Sequence, residues 1–222
     1  MLILGIDEAG RGPIIGPLVM CGVVVDEEKV RELVNIGVKD SKLLLPKKRR
    51  EVYDKLFSII DSYHVVIVEA NEIDEVIFSA SSNLNKLEAK TSAEIISKLK
   101  AEQAILDCPS PNLKAYKFDV ETFLGQKKSS SIRIITKHKA DVESPIVGAA
   151  SIIAKVTRDS IIDDLKEKYC KDFGSGYLTD PKTTVFLEEN WDNPEYLLLF
   201  RKSWGPWQKR KYNKEQTNLN IF

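Results

Sequence analysis

Ten residues (8–17) separate two apolar runs near the N-terminus, and they constrain the fold more than any other part of the chain. The runs are LILGID (2–7) and LVMCGVVVD (18–26), and the segment between them carries Gly10, Gly12 and Gly16 together with Pro13 and Pro17. Apolar, β-branched runs of this length, bounded by glycine and proline, read as strands, and a link this short suits antiparallel neighbours. The glycine spacing has the look of a dinucleotide-binding turn. That turn needs a helix directly after its glycines, so that the helix N-terminus meets the pyrophosphate. Here Pro13 intervenes and a β-branched strand follows, which excludes that fold. What is left is a backbone with few side chains, which another molecule can approach closely. Arg11, between two glycines, adds a charge suited to phosphate. A tight turn with a solvated arginine is the plainer alternative.

The rest of the chain alternates helix and strand signals. YHVVIVEA (63–70), QAILD (103–107) and IRIITKH (132–138) read as three further strands. PKKRREVYDKLFSIIDSY (46–63) reads as a helix, with Pro46 in its first turn and Val52, Leu56, Ile59 and Ile60 at helical spacing. Residues 83–102, 144–169 and 183–191 read as helices, and FGSGYLTDP (173–181) as a loop. The expected fold class is α/β, a mixed five-stranded sheet flanked by helices. One domain is expected over residues 1–200. Residues 201–222 stand apart as a polar, basic and aromatic tail.

Charge and cysteine content exclude several classes. Lys plus Arg equals Asp plus Glu, 33 each, so any electrostatic attraction must be local. Cys21, Cys108 and Cys170 are odd in number and lack CxxC spacing, which disfavours disulfides and zinc. The first apolar run is too short for a signal peptide, and none reaches the ~18 residues of a membrane span. A cytoplasmic protein without a membrane partner is expected.

The acids carry the chemistry. Asp7 and Glu8 end one apolar strand, Asp107 ends another, and Asp141 follows the fifth. One solvated acid at a strand end is ordinary. Three strand ends finishing in acids are less so, and if the strands are neighbours the carboxylates converge. Four carboxylates without histidine suit hard divalent ions, Mg²⁺ or Mn²⁺. A pair of such ions about 4 Å apart serves in-line attack on phosphodiesters. Basic segments flank the acids: KDSK (39–42) with Lys42, and KHK (137–139) with Lys139. These could face a polyanionic substrate or be solvated loop lysines. His138 could tune a proton or be incidental.

GIDEAGRGPIIGPLV, DSKLL, KHKADVESPIVGAASIIAKVTRD and GSGYLTDPKT, in that order, closely resemble type 2 ribonucleases H, the ribonuclease HII group, and its archaeal branch in particular. The resemblance implies the ribonuclease H-like fold with a small C-terminal helical part. It implies that Asp7, Glu8, Asp107 and Asp141 bind two Mg²⁺ or Mn²⁺ ions. It further implies that the backbone of Gly10, Arg11 and Gly12 reads a 2′-hydroxyl at an RNA–DNA junction, that Tyr177 stacks on the sugar of the following deoxynucleotide, and that Lys42 lies near the substrate backbone. The GSGY form agrees with archaeal members rather than the GYG form of bacterial ones. The implied activity is endonucleolytic: hydrolysis of the RNA strand of RNA–DNA hybrids and cutting 5′ to ribonucleotides embedded in duplex DNA, leaving 3′-hydroxyl and 5′-phosphate ends, by a monomer. The 2′-hydroxyl is the group that separates RNA from DNA at a given site. A junction resolvase on the same scaffold and a non-catalytic hybrid-binding protein are the alternatives. Metal-dependent cleavage separates them.

The tail offers two more readings. Residues 201–214 carry Arg201, Lys202, Lys209, Arg210, Lys211 and Lys214, no acid, and interleaved Trp204, Trp207 and Tyr212. Such a pattern suits nucleic acid, or a partly packed extension. In QTNLNIF (216–222), Gln216, Leu219 and Phe222 stand at i, i+3 and i+6. This resembles the short peptide that docks on the sliding clamp of replication, the proliferating cell nuclear antigen (PCNA) type, with Leu219 and Phe222 as groove anchors.

Overall fold

β1 (Leu2–Ala9) and β2 (Leu18–Asp26) pair antiparallel, with Asp7 opposite Cys21 and Glu8 opposite Met20. The computed structural model describes residues 1–38, 45–79 and 81–219, the last three by backbone alone. Lys42 and Phe222, and the side chain of Leu219, lie outside the described residues. After β2 come α1 (Val30–Asn35), α2 (Pro46–Leu56), β3 (Ser62–Val68), α3 (Ala70–Phe78), α4 (Leu84–Lys98), β4 (Gln103–Asp107), α5 (Leu113–Leu124), α6 (Gln126–Ser129), β5 (Arg133–Lys137), α7 (Ala140–Glu143), α8 (Pro145–Tyr169), α9 (Pro181–Asn190) and α10 (Gly205–Leu219). As expected, the strands form one mixed five-stranded sheet; its order is β3-β2-β1-β4-β5, with β1 parallel to β4 and β4 parallel to β5. Among the described residues no helix is long and apolar enough to cross a membrane.

Two compact units share the chain. The first comprises Met1–Ala9, Val19–Ile67 and Leu84–Arg158, and the second Gly10–Leu18, Val68–Asn83 and Asp159–Phe222. In the first, central β1 and β2 are buried almost throughout, which is why both read as unbroken apolar runs. The start of α8 lies directly against β1. A Cβ on Gly5 would stand 2.6 Å from the backbone of Ile146 and Val147, so only glycine admits the helix there. The second unit has its own core of Ile14, Ile15, Phe173, Phe186, Phe200 and Trp207 with their neighbours. Within it Ile15 and Phe200 form an antiparallel bridge.

Several expectations need correction. The helix expected over 46–63 ends at Leu56. Ile59 is buried, but from a turn, so its helical spacing was coincidental. The third strand stops at Val68, because Glu69 opens α3 through a capping box with Glu72. α5 was not anticipated, although Asn112 caps it by accepting the Ala115 N–H at 3.0 Å. The stretch from 201 is no solvated tail at its start: Arg201 and Trp207 are buried, and α10 follows.

Candidate active site

β1 and β4 run parallel with Ile6 beside Leu106, so the residues that follow each, Asp7 and Asp107, reach the same end of neighbouring strands. Asp7, Glu8 and Asp107 each present a carboxylate oxygen, and these oxygens all lie within 4.8 Å of one another. Asp7 is buried, and the other two are half-buried. Burial holds the Asp7 carboxyl well above the ordinary aspartate range, and the charges of Glu8 and Asp107 push it further the same way. A hydrogen bond with the Ser151 side chain, on α8, opposes that shift. Burial, with the nearby Asp7 charge, also raises the Cys21 thiol, which leaves it a neutral core group. Three mutually repelling, oxygen-only donors fit a hard divalent cation, which would offset the repulsion.

Asp141 arrives differently. β5 ends at Lys137, so Asp141 does not close a strand but sits, fully buried, in the first turn of α7. The turn between them is sharp: Lys139 is exposed and left-handed, with φ 55°. Asp107 Oδ1 accepts the N–H of Ala140 at 2.7 Å and so ties the residue before Asp141 to the end of β4. Lys137, at the end of β5, reaches Glu143 of α7 at 3.2 Å. His138 Nδ1 lies 3.4 Å from the Cys108 carbonyl oxygen.

Gly10, Arg11, Gly12 and Tyr177 all belong to the second unit. Gly10 has φ 86°, a left-handed conformation that favours glycine. Gly12 differs: its φ is not positive, it is exposed, and a Cβ there would meet nothing within 4 Å. Its own fold therefore does not require a glycine. Four carbonyls of the loop are held by side chains from far along the chain. Arg201 donates to the oxygens of Gly10, Arg11 and Gly16, and Trp204 Nε1 to that of Gly12. On the other flank, the Gly176 oxygen accepts the N–H groups of Ile14 and Ile15 at 2.9 and 3.3 Å. Gly176 precedes the half-buried Tyr177, and Thr183 Oγ1 fixes its loop by accepting the Gly176 N–H and donating to the Phe173 oxygen.

Sequence reading missed Ser151, Arg201 and Thr183. Ser151 stood inside a quoted motif, but nothing marked it off from its neighbours. Arg201 was grouped with the basic residues of the tail, and only the preceding LLLF (197–200) hinted at burial. Of the tail residues proposed for clamp docking, Gln216 is exposed on α10.

The family described as Ribonuclease HII matches residues 4–206. Ribonuclease HII of Pyrococcus furiosus is 41% identical over 227 residues, covering 100% of this chain and 98% of that protein. The crystal structure of ribonuclease H2 from Pyrococcus horikoshii OT3 superposes with a TM-score of 0.83 at 40% identity, covering 94% of this chain and 96% of that one. The ribonuclease HII in a complex with PCNA from Archaeoglobus fulgidus gives a TM-score of 0.76 at 40% identity, over 85% and 88% of the two chains. The chain that presents three converging carboxylates and a clamped glycine loop thus belongs to the ribonuclease HII family and is an enzyme of the ribonuclease H class.

Proposed function

We propose that this enzyme hydrolyses the RNA strand of RNA–DNA hybrids and cuts 5′ to single ribonucleotides in duplex DNA, leaving 3′-hydroxyl and 5′-phosphate ends. The observation that carries this reading is the meeting of Asp7, Glu8 and Asp107 at the end of β1, from which the chain runs straight into a loop whose Gly12 is bare without any need of its own fold. Asp7, Glu8, Asp107 and Asp141 would hold two Mg²⁺ or Mn²⁺ ions, which when bound supply an activated water and stabilise the departing 3′-oxygen. Within the chain, the Ser151 hydrogen bond orients the Asp7 carboxylate. Asp107 also accepts the Ala140 N–H through Oδ1, which fixes its carboxylate at the end of β4. Gly12 lets a ribose come up to the backbone, where peptide N–H groups meet its 2′-hydroxyl. Tyr177, half-buried on a fixed loop, offers its ring to the next sugar. Lys139, exposed at the turn, faces the phosphate backbone. The C-terminal Gln216, Leu219 and Phe222 would dock on a PCNA-type clamp, a reading supported by the partner of the Archaeoglobus fulgidus relative.

The test is a labelled DNA duplex with one ribonucleotide, beside an all-DNA control, in Mg²⁺ with and without chelator. Chelator-sensitive cleavage 5′ to the ribonucleotide, with the control intact, is the expected result. Cleavage of long hybrids only would keep the carboxylate chemistry and remove the ribose-reading role of Gly10, Arg11, Gly12 and Tyr177.

A further inference from the structure

Arg201 has none of its surface exposed, yet it carries a full charge. Burying a guanidinium is costly unless its donors are satisfied. Here Nε donates to the Gly16 oxygen at 3.0 Å, Nη1 to Arg11 at 2.9 Å and Nη2 to Gly10 at 2.6 Å. A planar fork is the one side chain that can pin three carbonyls in a fixed mutual geometry. The guanidinium also lies over the Trp204 ring, 5.0 Å from its centroid, and the indole N–H reaches the Gly12 oxygen at 3.2 Å. From behind, Asp74 on α3 accepts the N–H groups of Lys202 and Ser203, both at 2.8 Å, and the Ser203 hydroxyl at 2.6 Å. The segment that carries Arg201 and Trp204 is thereby fixed in turn.

Peptide planarity converts this clamp into a direction. No cis peptide occurs among the described residues, and in a trans peptide the N–H points opposite to the C=O of the same unit. The carbonyls of Gly10 and Arg11 share their peptide units with the N–H groups of Arg11 and Gly12. When Arg201 draws those two oxygens toward itself, the two N–H groups are aimed to the opposite side. Hydrogen bonding to the oxygens also polarises the same peptide units and strengthens the N–H groups as donors.

We propose that Arg201, assisted by Trp204 and anchored through Asp74, is the positioning residue that aims the Arg11 and Gly12 N–H groups at the ribose. This rests on the ribose-reading role of the loop given above. Arg201 touches no reacting atom. It acts through the backbone it holds.

The experiment compares the full chain with its Arg201→Met, Arg201→Lys and Trp204→Phe variants. It reads amide hydrogen exchange of residues 10–16, single-turnover cleavage of the one-ribonucleotide duplex, and the rise in Tm produced by Mg²⁺. Arg201→Met is expected to speed exchange in the loop and to slow cleavage about 100-fold, the cost of a misplacement near 1 Å. Its Mg²⁺-induced rise in Tm should persist, since the carboxylates are no part of the clamp. Arg201→Lys should fall between it and the wild type, because an ammonium cannot hold three carbonyls in one plane. Trp204→Phe keeps the ring and deletes one donor, for a loss of about fivefold, and it serves if Arg201→Met does not fold. Unchanged loop exchange in Arg201→Met, or in Trp204→Phe where only that variant folds, would overturn the clamp alone. Faster exchange with undiminished cleavage would overturn both the clamp's purpose and the loop's ribose-reading role.

Discussion

Asp107 Oδ1 accepts the backbone N–H of Ala140 at 2.7 Å, so one carboxylate of the converging cluster holds the residue that precedes the buried Asp141. Asp107→Asn keeps an oxygen acceptor in that place while losing the charge. Its unfolding free energy should stay within about 0.5 kcal/mol of wild type, whereas Asp107→Ala should lose about 1–2 kcal/mol with the hydrogen bond. Both should lower cleavage at least about 100-fold. Chemical denaturation beside a cleavage assay distinguishes the two effects. An Asp107→Asn protein as unstable as Asp107→Ala would sink the dual role.

Asp7 sets a pH dependence. Its folded pKa is raised, chiefly by burial and then by Glu8, above an unfolded value near 3.9. Between those two values the folded state binds more protons than the unfolded state, so stability falls as pH rises across that window and levels off above it. In chelator, the wild-type Tm should therefore rise as pH is lowered through that window, before general acid unfolding sets in. Asp7→Asn should flatten that slope and raise the metal-free Tm above that window, by about 2–4 °C for each kcal/mol gained. It should abolish cleavage in Mg²⁺. A metal-free Asp7→Asn protein less stable than wild type above that window would contradict the account of a buried, repelled carboxylate.

Two glycines should respond in opposite ways. A Cβ on Gly5 collides with the backbone of α8, which cannot yield as a side-chain tip can. Gly5→Ala should cost about 3 kcal/mol, the upper end for overpacking. Gly12→Ala meets open space and should leave stability within about 0.5 kcal/mol. Yet it should slow cleavage of the one-ribonucleotide duplex by at least about tenfold, since a methyl group would stand on the backbone that we propose the ribose approaches. Equal cleavage by Gly12→Ala and wild type would mean that no ligand approaches that backbone.

Asp74 accepts three donors at the start of the C-terminal segment. Asp74→Ala should destabilise the protein by about 2–3 kcal/mol, because donors of charge-assisted bonds lose their acceptor together. Urea denaturation checks it, and a loss below about 0.5 kcal/mol would place the anchor elsewhere.

What sequence made legible follows from where the determinants are local. β1, β2 and β4 are buried strands whose apolar runs stop at glycine, proline or an acid, so their ends, and with them Asp7, Glu8 and Asp107, could be read directly. α3 escaped because Glu69 is an uncommon N-cap, and the adjoining strand run obscured it. The length of α2 was overread because Ile59 is buried from a turn at a spacing that a helix would also give. Asp141 looked like a strand end because the left-handed turn at Lys139 leaves no glycine as a sign. Arg201 could not be read at all as a loop anchor. A charged residue in a basic stretch looks solvated, and its partners are backbone oxygens, which no residue type announces.

Those oxygens belong to residues 185, 190 and 191 positions earlier in the chain. During synthesis, then, the first two strands and the loop between them emerge long before Arg201 exists. At about 5–20 residues per second, the delay is roughly 10–40 s. Throughout that interval the nascent loop lacks the guanidinium that holds three of its oxygens. The geometry of that loop is therefore completed by a residue that synthesis adds 185 to 191 positions after it.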